Sequence, residues 1–274
     1  IIGNYLLIKK QINQIGLKLK ISKINSINEI INKNNLNVLN IPLKFKSTFN
    51  INKIDTKNYV IKCINMAHIM ACKKIIKGFV NAPVNKTIFN GKFLGVTEYL
   101  ANKNNIKEKE VMMLYNRKLA VVPLTTHLEL KNVTKKINSK LLRTKISTLN
   151  SAYFKLFKKK PKIFVLGLNP HNSENRINSI ENKIIKPTIT NLKKLGLKIE
   201  GPFPADTVFN SQKREKADVI VGMYHDQVLG PFKTLFGYDA INITLGLEYL
   251  RVSPDHGTAR NIAGLNKANP KSLI

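Results

Sequence analysis

Three of the five histidines share a setting. His127 ends LAVVPLTTH, His171 ends KIFVLGLNPH and His225 ends ADVIVGMYH. Each follows an apolar, strand-like run, at the point where the chain would leave a sheet. In open α/β sheets the carboxyl ends of the strands line the ligand crevice. Three neutral imidazoles gathered there make a divalent-metal site with positions left open for substrate. Their separation, about fifty residues, is far from a zinc finger's local spacing and favours an open catalytic site over a closed structural one. Against this stands the plainer reading that a strand-end histidine is an ordinary hydrogen-bonded residue. Three of them in one setting, with Asp226 beside His225, weaken it without removing it.

Other polar residues flank these positions. Asp206 in GPFPADT follows two prolines and either faces the site or caps a helix. Lys233, Asn242 and Arg251 follow His225; Lys and Arg on loops near a metal hold phosphate or carboxylate, and otherwise form solvated surface. His68 lies on the apolar face of a helical pattern and reads as structural. His256 in SPDHGTA reads as the start of a helix after a tight loop. No G-x-G-x-x-G follows a strand, so a Rossmann dinucleotide site is not indicated.

The elements that must carry these residues alternate. Helical periodicity covers 3–15, 57–77 (with Gly78 as the stop), 131–159 in two pieces with a break and cap at Asn138-Ser139, 179–195 and 206–215. Strand-like runs cover 17–21, 78–84, 112–115, 119–125, the run into His171, the run into His225, and 241–246. Little else within 1–55 is patterned, and residues 256–264 suggest a helix start. The alternation predicts an α/β architecture with largely parallel strands and both sheet faces covered.

Composition sets further bounds. The chain has 274 residues with a net charge of +30, and Lys, Asn and Ile account for 40, 34 and 34 of them. Residues 1–200 hold 38 basic and 9 acidic side chains, while residues 201–274 hold 8 and 7. The surplus therefore sits away from most of the candidate chemistry, and it travels with surplus Asn and Ile as drift toward A- and T-rich codons would produce. FKKKPK at 157–162 closes a helix, where lysine offsets the dipole. No zinc finger, RNP motif or basic heptad is present, so a nucleic-acid partner is disfavoured. No apolar run is long enough to span a membrane. Cys63 and Cys72 form no C-x-x-C and read as thiols in a reducing, cytoplasmic setting.

Seven ordered segments, TEYL, VPLTTHLEL, GLNPH, GPFPADT, MYHDQ, NITLGLEYLR and DHGTA, together resemble the 4-hydroxythreonine-4-phosphate dehydrogenase family of pyridoxal phosphate (vitamin B6) biosynthesis. The resemblance implies a two-domain α/β fold like that of isocitrate and isopropylmalate dehydrogenases. The first domain would be 1–90 plus 258–274 and the second 91–257, with the active site in the interdomain cleft. It implies a homodimer whose sites are completed across the interface. It also implies NAD-dependent oxidation (NADP as the variant) of a small phosphorylated substrate, 4-phosphohydroxy-L-threonine. A divalent zinc, magnesium or cobalt ion would assist, and decarboxylation to 3-amino-2-oxopropyl phosphate would follow. The family's metal ligands match His127, His171 and His225. Its substrate contacts match Thr97, Lys233, Asn242 and Arg251, and Asp206 and Lys233 are the catalytic candidates.

The chain also departs from the family. Val96 stands where the family has a histidine, and Asn172, Ser173, Glu174, Asn175 and Arg176 stand where it has a Gly-rich loop. The family's early Gly-containing segment would lie before residue 1, and the last helix looks short, so an incomplete copy is expected. These departures leave two alternatives: a dehydrogenase of a related phosphorylated sugar acid, or a degenerate, non-catalytic copy that binds nucleic acid through its basic surface.

Overall fold

Asparagine side chains open several of the helices. Asn4 accepts from the Leu7 amide at 2.9 Å, Asn52 from Ile54 at 2.9 Å and Asn138 from Leu141 at 2.9 Å. Each satisfies an amide that has no partner within its own helix. The structure, a computed structural model, describes residues 1–27, 29 and 32–273. The chain divides into two units, Ile1–Asn90 with His256–Pro270 and Gly91–Asp255 with Lys271–Ile274.

In the first unit, β1 (Ile2–Gly3), β2 (Ile21–Ile24) and β3 (Leu36–Asn40) form a parallel sheet in the order β1-β3-β2. The helices are α1 (Tyr5–Gln14) and α2 (Lys53–Cys72), and β4 (Gly78–Val80) follows. Ile24, Leu39 and Met70 meet in a small core. The strand expected at 17–21 lies at 21–24, and β3 was not anticipated, because its Asn-rich sequence lacks a clean period-two pattern. The helix expected over 57–77 is α2, shifted toward its Asn52 cap. It ends at Cys72, and Gly78 begins a strand instead of stopping a helix.

The second unit contains α3 (Val96–Lys103), β5 (Val111–Asn116), β6 (Leu119–Pro123), α4 (Leu130–Lys136), α5 (Ser139–Phe157) and β7 (Ile163–Leu166). Then come α6 (Lys186–Lys194), β8 (Ile199–Phe203), α7 (Ala205–Val208), α8 (Ser211–Arg214) and β9 (Val219–Gly222). Last are α9 (His225–Phe236), β10 (Ile241–Leu245) and β11 (Leu250–Pro254). Its strands run in the order β11-β10-β5-β6-β9-β7-β8.

Alternate residues of one strand reach opposite faces of this sheet. Val111 and Met113 join a core with Leu142, Ile146 and Leu149 of α5, while Met112 and Leu114 join one with Val228 and Phe232 of α9. Both faces are covered, as the uninterrupted burial of β6, β7 and β9 requires. The architecture is α/β as expected, but the strands are not largely parallel. The pairs β6–β9, β9–β7 and β7–β8 are parallel, and β11–β10, β10–β5 and β5–β6 are antiparallel. Among the described residues no helix is long and apolar enough to cross a membrane.

Two local expectations fail. Residues 225–236 form helix α9, despite Gly230 and Pro231, because Val228, Leu229 and Phe232 are buried in the core. The helix start expected at SPDHGTA is absent; only a short 3-10 turn, Arg260–Ile262, forms there.

Candidate functional site

His127, His171 and His225 follow β6, β7 and β9. These are neighbouring parallel strands, so their carboxyl ends open on one edge of the sheet. Asp206 follows β8 on the same edge and is exposed in the first turn of α7, whose N-cap is Pro204. Backbone and side-chain bonds then fix the loops. Leu124 N donates to Gly222 O at 2.7 Å, and the Thr125 hydroxyl donates to Met223 O at 2.8 Å. The segment before His127 is thus tied to the segment before His225.

Gln227, which the sequence reading did not single out, adds the third strand. Its Oε1 accepts from Met223 N at 2.7 Å, and its Nε2 donates to Gly167 O at 2.7 Å. A buried primary amide joins the end of β9 to the chain leaving β7. A Cβ on Gly222 would meet Val228 Cγ1 at 2.5 Å and Gln227 Oε1 at 3.0 Å, so this crossing requires glycine there.

The rings of His127 and His225 stand 5.7 Å apart, centroid to centroid. Each has a carboxylate at Nδ1: Asp226 Oδ1 lies 2.6 Å from His225, and Glu98 Oε1 lies 3.5 Å from His127. A carboxylate on Nδ1 favours the tautomer that leaves Nε2 as the metal-binding nitrogen. This donor chemistry fits a divalent cation held by His127 and His225. His171 does not complete it within one chain: among the described residues no group of three or more His, Cys, Asp or Glu could hold a metal. Of the three expected ligands, the structure sets His127 and His225 side by side.

The segment carrying His171 has its own organiser. Glu181 is 1% exposed, and its carboxylate accepts from Leu168 N at 3.0 Å, Asn169 N at 2.8 Å, Asn169 Nδ2 at 3.1 Å and the Ser173 hydroxyl at 3.0 Å. Burial pushes this carboxyl up, but those donors outweigh it and hold it below the ordinary 4.5. Residues His171 to Asn175 all have φ between 47° and 59°. This is the left-handed region, which costs non-glycine residues about 1–2 kcal/mol each. Asn172 Nδ2 donates to Pro202 O at 3.0 Å and helps retain the turn.

The substrate candidates form two groups. Arg251 is not on a loop: it lies on β11, 4% exposed, donating to Thr244 Oγ1 at 3.0 Å and Thr97 Oγ1 at 3.3 Å. Burial lowers its pKa to about 10, opposed by the nearby Glu98, so it remains charged at neutral pH. Lys233 is not on a loop either. On α9, its Nζ lies 3.4 Å from Asp255 Oδ2 and 5.8 Å from the Tyr238 ring. Asn242 on β10 keeps a buried Oδ1 that has no hydrogen-bond partner among the described residues.

A cavity of about 320 Å³ opens beside His127, lined by Glu98, Thr126, Phe93 and Leu124 among others. Val96 is 8% exposed, packed into the core and not offered to a ligand. Outside this region, His68 Nδ1 on α2 lies 3.5 Å from Cys72 Sγ, and His256 Nδ1 lies 2.9 Å from Gly257 O.

The family described as pyridoxal phosphate biosynthetic protein PdxA matches residues 1–274. The 4-hydroxythreonine-4-phosphate dehydrogenase of Wigglesworthia glossinidia brevipalpis is 37% identical over 265 residues, 94% of this chain and 80% of that protein. The namesake from Sulfurihydrogenibium is also 37% identical, over 264 residues, with the same shares covered. The crystal structure of the Klebsiella pneumoniae 4-hydroxythreonine-4-phosphate dehydrogenase superposes with a TM-score of 0.84 at 29% identity, covering 99% of this chain and 86% of that one.

Proposed function

The chain belongs to the family of the pyridoxal phosphate biosynthetic protein PdxA, and on that premise we propose that it is a 4-hydroxythreonine-4-phosphate dehydrogenase. It would oxidise the 3-hydroxyl of 4-phosphohydroxy-L-threonine with NAD, and the resulting 3-oxo acid would lose carbon dioxide to give 3-amino-2-oxopropyl phosphate. The observation that carries this reading is the paired His127 and His225, each with a carboxylate at Nδ1, on the open edge of the sheet.

When bound, a zinc, magnesium or cobalt ion lowers the pKa of the substrate hydroxyl and the nicotinamide accepts the hydride. His127 and His225 would hold the ion through Nε2. His171 would supply the third ligand, with a homodimer completing each site. Lys233 would exchange its Asp255 contact for a substrate oxyanion. Arg251, shielded from water, would act on the substrate's negative charge through a field that solvent does not screen. Thr97 would orient with it, and Asn242 Oδ1 offers a directional acceptor. Asp206 would take the hydroxyl proton, and the Lys233 ammonium would return one to the carbon left after decarboxylation.

The test is NADH formation from 4-phosphohydroxy-L-threonine by the full chain with each metal. No turnover with any of them refutes the reading. Val96, standing where the family has a histidine, leaves room for one variant: a phosphorylated threonate or erythronate in place of the amino acid. Comparing kcat/KM across these substrates decides between the two.

A further inference from the structure

Glu98 stands between the histidine pair and Arg251 and has no assigned task. It lies in the first turn of α3, directly after Thr97, so one turn of backbone sends Thr97 to Arg251 and Glu98 to His127. Its side chain is 19% exposed, against 87% for Asp226 behind the other histidine. The Thr126 hydroxyl donates to Oε1 at 3.3 Å. Oε2 is buried, without a hydrogen-bond partner among the described residues. It sits so close to the backbone that a Cβ on Gly95 would stand 3.2 Å from it. The carboxylate is therefore confined, with Oε1 at 3.5 Å from His127 Nδ1.

We propose that Glu98 is a positioning residue that holds His127 in its Nδ1–H tautomer and aims Nε2 at the metal. This rests on the proposed function, because it presumes that His127 is a ligand. The physical reason is that neutral imidazole carries one proton, and a carboxylate beside one nitrogen places it there. Partners of this kind typically change metal affinity by about 10–100-fold. The two carboxylates differ in consequence. Water and small conformational changes replace exposed Asp226 at little cost, whereas enclosed Glu98 has no substitute.

The experiment compares the parent chain with Glu98→Gln and Asp226→Asn, all stripped of metal. Calorimetry with zinc alone gives the affinity, and long-range nitrogen–proton NMR of labelled histidine gives the tautomer of His127. The expected result for Glu98→Gln is zinc binding weaker by about 10-fold or more, together with loss of the Nδ1–H preference. Asp226→Asn should change affinity by less than about 3-fold, as its exposure implies. Glu98→Gln that binds zinc as the parent does, with the tautomer unchanged, overturns the proposal. If Glu98→Gln misfolds by circular dichroism, Thr126→Val removes only the hydroxyl that holds Oε1. It should shift the tautomer in the same direction, and an unchanged tautomer there also overturns the proposal. A parent that binds no zinc refutes the metal reading of His127, while the tautomer measurement still decides the role of Glu98.

Discussion

Replacing Glu181 should loosen the segment that carries His171. The carboxylate accepts from two backbone amides, Leu168 N and Asn169 N, and from the side chains of Asn169 and Ser173. It is buried, so water does not take over these donors. In Glu181→Ala the two amides lose their acceptor. At about 1–3 kcal/mol for each buried group left unsatisfied, with some relaxation, the expected loss is about 2–4 kcal/mol. In Glu181→Gln one amide oxygen can still serve the backbone, and the loss should be about 1–2 kcal/mol.

The pH dependence has a definite sign. The folded pKa lies below the ordinary 4.5, so the contribution is complete above that value. It disappears as pH falls through the folded pKa. The gap between parent and Glu181→Gln should therefore close in acid. The assay is urea unfolding followed by far-UV circular dichroism, since the chain has no Trp, with hydrogen exchange at the Leu168 and Asn169 amides as the local readout. Glu181→Ala within about 0.5 kcal/mol of the parent, the range of an ordinary surface change, with exchange unaltered, would refute the reasoning.

Other outcomes follow from the same geometry. Gln227→Leu keeps the volume but strands Met223 N and Gly167 O; denaturation should show a loss of about 2–4 kcal/mol. Glu174→Gly relieves a left-handed backbone (φ 50°) at the cost of only an exposed contact with Arg176, and should raise stability by up to about 1 kcal/mol. Cys63 has its thiol pushed up to about 11 by burial, against the pull of Tyr59, whereas Cys72 is exposed. At about pH 8 a disulfide reagent should label Cys72 quickly and Cys63 only on unfolding, since the thiolate is the reactive form. Equal rates would contradict this.

The parts of the fold legible in the sequence were those where one local pattern decides the outcome. LAVVP, IFVL and VIVG are continuous apolar runs that only a strand buried on both faces suits, and they placed the three histidines at adjacent strand ends. Asn138 was recognisable as a cap because its side chain acts three residues away. Strand direction was not legible, since alternation reads the same in either sense, and half of the sheet proved antiparallel. Helix α9 was hidden by Gly230 and Pro231, whose local cost is overridden by the burial of Val228 and Phe232. Glu98, Thr244, Glu181 and Gln227 went unnoticed for a related reason. Each is an ordinary polar residue until the fold brings a distant partner to it, as Thr97 comes to Thr244 from 147 positions away.

The central claim is that His127 and His225 form a metal-dependent dehydrogenation site. The most direct measurement is NADH formation from 4-phosphohydroxy-L-threonine by the parent, His127→Ala and His225→Ala, each before and after chelation and metal return. The account predicts turnover in the parent that chelation abolishes and metal restores, and a loss of several orders of magnitude in both variants. Turnover that survives chelation, or either variant retaining parental kcat, would contradict it.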